Sequence, residues 1–163
     1  MGFRAVVITV SDRGSRGERV DGSGPAVEEM LRQMGIEVVG RRIIPDDREL
    51  ILRTLQELSD RGEADLIVTT GGTGVGPRDV TPEATIEAID REIPGMAEAM
   101  RRHSALLTPH AMISRAVVGI RGRTLIINLP GSPKGATENL SVLLPAIAHA
   151  IEKIKGDESE CAS

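Results

Sequence analysis

The segment from Asp65 to Pro82 passes from an apolar run into a glycine-dense loop and then into a helix start. Leu66, Ile67 and Val68 form a short continuous apolar run, the pattern of a strand covered on both faces in a parallel sheet. Gly71, Gly72, Gly74 and Gly76 follow, four glycines in six residues, which lets the backbone take positive φ and approach a ligand closely. Successive N–H groups in such a loop curl into a concave anion site. Beyond it, Asp79 leads to Thr81-Pro82-Glu83. Thr81 is expected as the N-cap, Pro82 as the first helical residue and Glu83 as an acid favoured by the helix dipole. A strand, a glycine turn, a carboxylate and a helix N-terminus together suit a phosphate and its metal. The same local pattern also serves plain strand-to-helix connections. Two standard fingerprints are excluded: GxGxxG fails at Pro77, and no Gly-Lys-Ser/Thr exists for GxxxxGK[ST].

At 163 residues the chain fits one domain that buries about 70% of its extended surface. Hydrophobic residues make up 40% and charged residues 27%, the balance of a soluble globular protein. A net charge of −4 without a basic block disfavours nucleic acid as a partner. No apolar segment approaches the roughly 20 residues that cross a bilayer as a helix, so no membrane role is expected. Arg4 to Val10 reads as a strand rather than a signal peptide. The lone Cys161 permits no intrachain disulfide. Both features point to a cytoplasmic setting. The chain has no Trp, no Tyr and only Phe3. A flat ligand must therefore be held by backbone, aliphatic and polar groups, and stacking platforms for single-stranded nucleic acid are disfavoured.

Taken in order, residues 4–10 form a first strand that ends in a polar, ligand-facing loop running from Ser11-Asp12-Arg13-Gly14 to Asp21-Gly22-Ser23-Gly24-Pro25. Val27, Met30, Leu31 and Met34 recur at helical spacing, with Gly35 as the stop. Ile36 to Ile44 is a second strand. A helix then starts at Pro45-Asp46-Asp47-Arg48-Glu49 and buries Ile51, Leu55 and Leu58. On the residues alone, Asp46 with Glu49 three positions on is a capping-box variant, worth about 1 kcal/mol. A short helix over 82–90 and another from Pro94 follow, the latter placing Met96 and Met100 toward the core. Ser114–Arg121 and Arg123–Asn128 form two strands about a hairpin turn at Gly122.

The last strand runs into Leu129-Pro130-Gly131-Ser132-Pro133-Lys134-Gly135. Ser132 is expected to cap, and Pro133 to open, a helix reaching about Ile154. Free amides at that helix start beside Lys134 make a second anion site, although a well-capped helix has the same signature. Residues 1–155 are read as one domain and 156–163 as a flexible tail. His103, His110 and His149 lack metal-ligand spacing and are read as structural or surface residues.

Several segments together resemble one family. They are Val10-Ser11-Asp12-Arg13, Thr69 to Gly74 with Arg78-Asp79-Val80-Thr81-Pro82-Glu83-Ala84-Thr85, Ser114-Arg115, and Ile120 to Lys134. In this order they resemble the molybdopterin adenylyltransferases of the MogA type, which are similar to the G domains of plant Cnx proteins and gephyrin. The resemblance covers residues 4–155. The glycine motif alone is shared with molybdenum-insertion enzymes and MoaB-type proteins; the combination is more specific.

The resemblance implies an α/β three-layer sandwich with a mostly parallel central sheet and an antiparallel edge hairpin. It implies transfer of AMP from ATP, with Mg²⁺, to the terminal phosphate of molybdopterin, and a homotrimer whose product passes to a molybdenum-insertion enzyme. The family's two key aspartates fall on Asp46 and Asp79, with Asp79 the expected Mg²⁺ ligand. Ser11, Asp12, Thr70, Gly71, Gly72, Thr73, Gly74, Ser114, Arg115, Pro130, Gly131, Ser132 and Lys134 are expected to bind substrate. The rival reading is a MoaB-like, non-catalytic pterin- or nucleotide-binding scaffold of molybdenum or tungsten cofactor assembly.

Overall fold

The computed structural model describes residues 2–158, so Cys161 and the end of the expected tail lie outside the described residues. Six strands form one sheet in the order β2-β1-β3-β6-β5-β4. They are β1 (Arg4–Val10), β2 (Glu37–Ile44), β3 (Leu66–Thr70), β4 (Arg91–Glu92), β5 (Val118–Arg121) and β6 (Thr124–Leu129). The helices are α1 (Asp12–Ser15), α2 (Ser23–Gln33), α3 (Arg48–Asp60), α4 (Thr81–Ala88), α5 (Pro94–Ala105) and α6 (Pro133–Ile154), with a 3-10 turn at Pro109–Ile113. β2, β1, β3 and β6 are parallel, and Leu66 lies opposite both Ala5 and Leu125. β5 runs antiparallel to β6, and β4 antiparallel to β5.

The apolar runs are continuous because both faces of these strands are covered. Side chains alternate between faces. Ala5, Val7, Leu66, Val68, Leu125, Ile127 and Leu129 share a core with residues of α2, α5 and α6. Val6, Ile8, Val10, Ile67 and Ile126 pack with residues of α3 and α4. The result is the expected three-layer sandwich with an antiparallel edge. Helix faces follow the 3.6-residue period: Val27 and Leu31 are buried in α2, and Ile51, Leu55 and Leu58 in α3. Met100 is buried in α5, whose face belongs to the core as expected. Pro145 sits inside α6 on its exposed side, where solvent can take the carbonyl it leaves unbonded.

Three local expectations are corrected. The cap of α3 is Asp47, whose side chain accepts from the Leu50 amide, and Asp46 is engaged elsewhere. Thr81 does not cap α4; it lies inside the first turn, where its hydroxyl donates to the Gly71 carbonyl at 3.1 Å. The strand expected from Ser114 begins only at Val118, because the Arg115 amide turns away to the Thr73 carbonyl at 2.8 Å. The two-residue β4 and the four-residue α1 carry too little periodicity to be read from the residues.

β1 lies between β2 and β3, and the chain leaves β1 toward β2 but leaves β3 toward β6. A crevice therefore opens beyond the carboxyl ends of β1 and β3, the usual ligand position in such sheets. Asn128 locks this end of the sheet from beneath. Its amide nitrogen donates to Thr69 Oγ1 and Thr85 Oγ1, each at 3.0 Å, and its Oδ1 accepts from the Val117 amide at 3.1 Å. The residue is fully buried, so deleting the side chain strands the Val117 amide and the Thr69 hydroxyl and leaves Thr85 Oγ1 only its bond to the Thr81 carbonyl. Asn128→Ala should lower unfolding stability by about 3 kcal/mol, measured by urea unfolding with far-UV circular dichroism. A loss below about 1 kcal/mol would show that solvent replaces the lost bonds.

Candidate functional site

The crevice is shaped by two glycines that no other residue can replace. Gly71 has φ of +94°, and a Cβ there would stand 2.4 Å from the Val10 carbonyl oxygen. Gly72 has φ of +68°, and a Cβ there would meet Thr81 Oγ1 at 2.3 Å and Asp46 Oδ1 at 3.1 Å. The turn after β3 thus lies against the end of β1. Gly131, after β6, closes from the other side: a Cβ on it would be 3.2 Å from the Gly71 Cα. Three loops converge with no side chain between them.

The loop's carbonyls are turned into the protein and its amides are left facing out. Thr73 O accepts from the Arg115 amide, Gly74 O from Arg115 Nε at 2.7 Å, and Asp79 O from Arg115 Nη2 at 2.8 Å. The fourth partner of Arg115 is Glu83. Among the described residues the amides of Gly72, Thr73 and Gly74 donate to no protein acceptor, the arrangement of an anion-binding nest. Asp79 closes the loop: its Oδ2 accepts from the Gly76 amide at 2.9 Å, and its own amide donates to Gly76 O at 3.0 Å. A Cβ on Gly74 or Gly76 would lie 2.9 Å from that carboxylate oxygen. Those two glycines make room for the acid.

Two clefts meet at this loop. The first, about 430 Å³, is lined by Ser11, Asp46, Thr70, Gly71, Gly72, Asp79, Gly131 and Ser132 of the expected residues. Thr9, Arg19, Val20, Asp21, Gly22, Ser23 and Pro133 also line it, and only the glycine-rich composition of 21–24 marks that loop as ligand-facing. Asp21 is built in: it accepts from Thr9 Oγ1 at 2.8 Å and the Gly24 amide at 3.0 Å, while Ser23 Oγ meets Thr70 Oγ1 at 2.8 Å. The second cleft, about 260 Å³, takes Thr73, Gly74, Ser114 and Pro130, shares Ser132, and adds Arg101, Ser104, His110 and Asn139. Three expected substrate ligands line neither cleft. Arg115 is spent on the glycine loop, Lys134 is 86% exposed and 3.9 Å from Glu138, and Asp12 is clamped by Arg78.

The charged groups lining the first cleft are Arg19, Asp21, Asp46 and Asp79, so its wall is net negative. Burial pushes the Asp46 carboxyl above its ordinary range; the hydrogen bond from the Asp12 amide opposes this and the charges of Asp12 and Asp79 add to it. Arg78, hydrogen-bonded to Asp12, holds the Asp12 carboxyl below its ordinary range, helped by the Asp46 amide. A polyphosphate would be repelled by this wall unless a cation came with it. Among the described residues no three His, Cys, Asp or Glu side chains converge on one point. Within the same residues, Asp79 and Asp46 each keep one carboxylate oxygen without a protein partner. That donor set fits Mg²⁺, which binds one or two carboxylates together with phosphate oxygens and water.

The raised pKa of Asp46 bears on stability with a definite sign. A carboxyl whose folded-state pKa is raised weakens the fold once it is ionised; the cost is absent below the ordinary carboxylate pKa and grows as pH rises through the folded value. Asp46→Asn should therefore raise the melting temperature at pH 7, and the gain should vanish at pH 3, below the ordinary carboxylate range. Melting curves of both proteins at the two pH values decide it; a mutant less stable at pH 7 would contradict the burial argument.

Comparison with known proteins follows the same lines. The family described as "Probable molybdopterin binding domain" matches residues 6–149. The molybdopterin adenylyltransferase of Helicobacter pylori J99 is 42% identical over 153 residues, covering 93% of this chain and 87% of that one. The structure of the molybdopterin biosynthesis enzyme MoaB of Thermus thermophilus superposes with a TM-score of 0.89 at 51% identity, covering 94% of this chain and 97% of that one. The tungsten cofactor synthesizing protein MoaB of Pyrococcus furiosus gives 0.86 at 36% identity, covering 94% and 98%. A sheet of this topology is thus shared with proteins of cofactor assembly, and the chain belongs to the molybdopterin-binding domain family.

Proposed function

We propose that the protein is a molybdopterin adenylyltransferase that moves AMP from ATP to the terminal phosphate of molybdopterin. The observation that carries this reading is the meeting of two clefts at one set of free amides, beside two carboxylates with unused oxygens. One cleft takes each substrate, and the reacting phosphates meet over Gly72 to Gly74. A terminal phosphate oxygen of the pterin forms a bond to the α-phosphorus of ATP, the bond from that phosphorus to the β-bridging oxygen breaks, and pyrophosphate leaves.

Catalysis of this kind is positioning and charge neutralisation rather than covalent chemistry. The amides of Gly72, Thr73 and Gly74 hold phosphate oxygens without cost of reorganisation. Ser132 and the Lys134 amide serve the same purpose from the β6 side, the amides of Gly135 and Ala136 being taken by Ser132. Asp79, with Asp46 beside it, would hold Mg²⁺, which supplies charge neutralisation at the phosphates. Thr9, Asp21, Ser23 and Thr70 give the first cleft a rigid polar floor. With no aromatic side chain but His110 in the two linings, ring recognition falls mainly to amides, hydroxyls and aliphatic groups.

The reading includes a homotrimer working in the cytoplasm, and a molybdenum-insertion enzyme as consumer of the product. Leu106, Leu107, Met112 and Ile113 are 83%, 57%, 75% and 51% exposed, and such a concentration of apolar surface supports cover by another copy. Sedimentation should show a species of three chain masses at micromolar concentration; a monomer would remove that part. No helix among the described residues is long and apolar enough to cross a membrane. The rival reading, a MoaB-like binding protein without turnover, gains nothing from the 51% identity to the Thermus MoaB, which is itself described as a molybdopterin biosynthesis enzyme.

Asp79→Asn tests the metal-holding role within the adenylyl-transfer reading. It keeps the shape of the side chain and the bond to the Gly76 amide but removes the charge. Pyrophosphate release should fall by about 100-fold or more, the usual scale for losing electrostatic stabilisation at a transferring group, while molybdopterin binding by calorimetry stays within a few-fold. Turnover at the wild-type rate would overturn the metal-holding role of Asp79.

A further inference from the structure

Asp46 is expected at the chemistry, yet nothing in its own segment fixes it. It follows Pro45 on the connection from β2 to α3, and the helix cap is taken by Asp47. What holds Asp46 comes from two other loops. The Asp12 amide donates to Asp46 Oδ2 at 3.0 Å, and the Asp46 amide donates to Asp12 Oδ1 at 2.9 Å. This reciprocal pair joins the ends of β1 and β2 and leaves Asp46 Oδ1 beside Gly72. Asp12 in turn accepts the Arg78 guanidinium in a fork, Nε to Oδ2 at 3.0 Å and Nη2 to Oδ1 at 3.1 Å. Both Asp12 oxygens are therefore used, and Asp12 lines neither cleft. Arg78 is the residue immediately before Asp79. The other charged groups on the first-cleft wall, Arg19 and Asp21, lie on the loop before α2, where Asp21 is engaged by Thr9 and Gly24.

We propose that Arg78 and Asp12 are positioning residues that set the spacing between the Asp46 and Asp79 carboxylates. Asp12 holds Asp46 through the paired amide contacts, and Arg78 clamps Asp12 to the loop that carries Asp79. Without the clamp, Asp12 is an unneutralised carboxylate pressed against Asp46, and the amide pair has a charge repulsion to overcome. The fork geometry matters, because a planar guanidinium engages both oxygens at once where an ammonium engages one point. The Arg78 side chain is 68% exposed, so the pair contributes little to overall stability. Its effect is local, on the geometry of two acids. The role rests on the adenylyl-transfer reading of the cleft, but the clamp itself can be tested apart from turnover.

The test uses Arg78→Ala, Arg78→Lys, Asp12→Asn and the double variant Asp12→Asn/Arg78→Ala in the full chain. In the free protein, amide hydrogen exchange at Asp12 and Asp46 should quicken markedly in Arg78→Ala while the sheet amides keep their protection. In steady-state pyrophosphate release, kcat should fall by about 10- to 100-fold with both KM values within about twofold, the pattern of misplaced catalytic groups. Arg78→Lys should recover only part of the loss. The double variant should be no worse than the poorer single one, since the two residues act as a unit. Unchanged exchange at Asp12 and Asp46 would overturn the clamp. A raised KM at unchanged kcat would overturn it too, by making Arg78 a substrate ligand. Quickened exchange in a protein whose wild type releases no pyrophosphate would uphold the clamp and sink the reaction instead.

Discussion

The contact of backbone with backbone at Gly71 is the constraint on which the site depends. A single methyl group there would collide with the Val10 carbonyl, and one on Gly131 would press on the Gly71 backbone. Because neither is present, the ends of β1, β3 and β6 draw together and their loops share one small space. That closeness is what places Ser11, Thr70, Asp46, Asp79 and Ser132 on one wall although they are spread along the chain. The parallel part of the sheet supplies the direction, since the carboxyl ends of β2, β1, β3 and β6 point the same way. The glycines supply the distance.

A second level of order turns the loop into a site. Thr81 takes the carbonyls of Gly71 and Gly72 and the Arg115 amide takes that of Thr73. Because each carbonyl points opposite to the amide that follows it, the amides of Gly72, Thr73 and Gly74 are turned the other way. The two carboxylates are then held by ordinary polar contacts: Asp79 by the Gly76 amide, Asp46 by the Asp12 amide. The wall that results is net negative, an odd property for a phosphate site until a cation is counted with the phosphate. Under the proposed reading a bare polyphosphate would be repelled and one carrying a divalent cation admitted. Selectivity for a metal-bound nucleotide would then lie in these charges, since the described residues hold no cluster of three His, Cys, Asp or Glu side chains.

Much of this is legible from the residues. The unbroken run Leu66 to Val68 announces a strand covered on both sides, and Ser132 with Pro133 announces the start of α6, because these signals are local. The glycine density marks the loop, and the family resemblance points to the reaction. What cannot be read are contacts between segments far apart in sequence. By pattern the cap is Asp46, with Glu49 three positions on; it falls to Asp47 because Asp46 is claimed by Asp12, 34 residues earlier. Thr81 has the composition of an N-cap, but its hydroxyl is taken by Gly71 across the loop. The resemblance places Arg115 among the substrate ligands, and what it does not reveal is that the guanidinium holds the carbonyls of Gly74 and Asp79. Lys134 shows the same limit in reverse, a cation beside a phosphate-like helix start that points to solvent.

The two clefts are proposed to bring two phosphates together for transfer, rather than merely to hold a pterin. The most direct measurement is pyrophosphate release by the wild-type protein given Mg-ATP, with and without molybdopterin, the protein being quantified by peptide absorbance because it lacks Trp and Tyr. The predicted result is release that requires both the pterin and the divalent cation and that is stoichiometric with adenylylated product. Tight binding of the pterin with no release under those conditions would contradict it and make the protein a carrier.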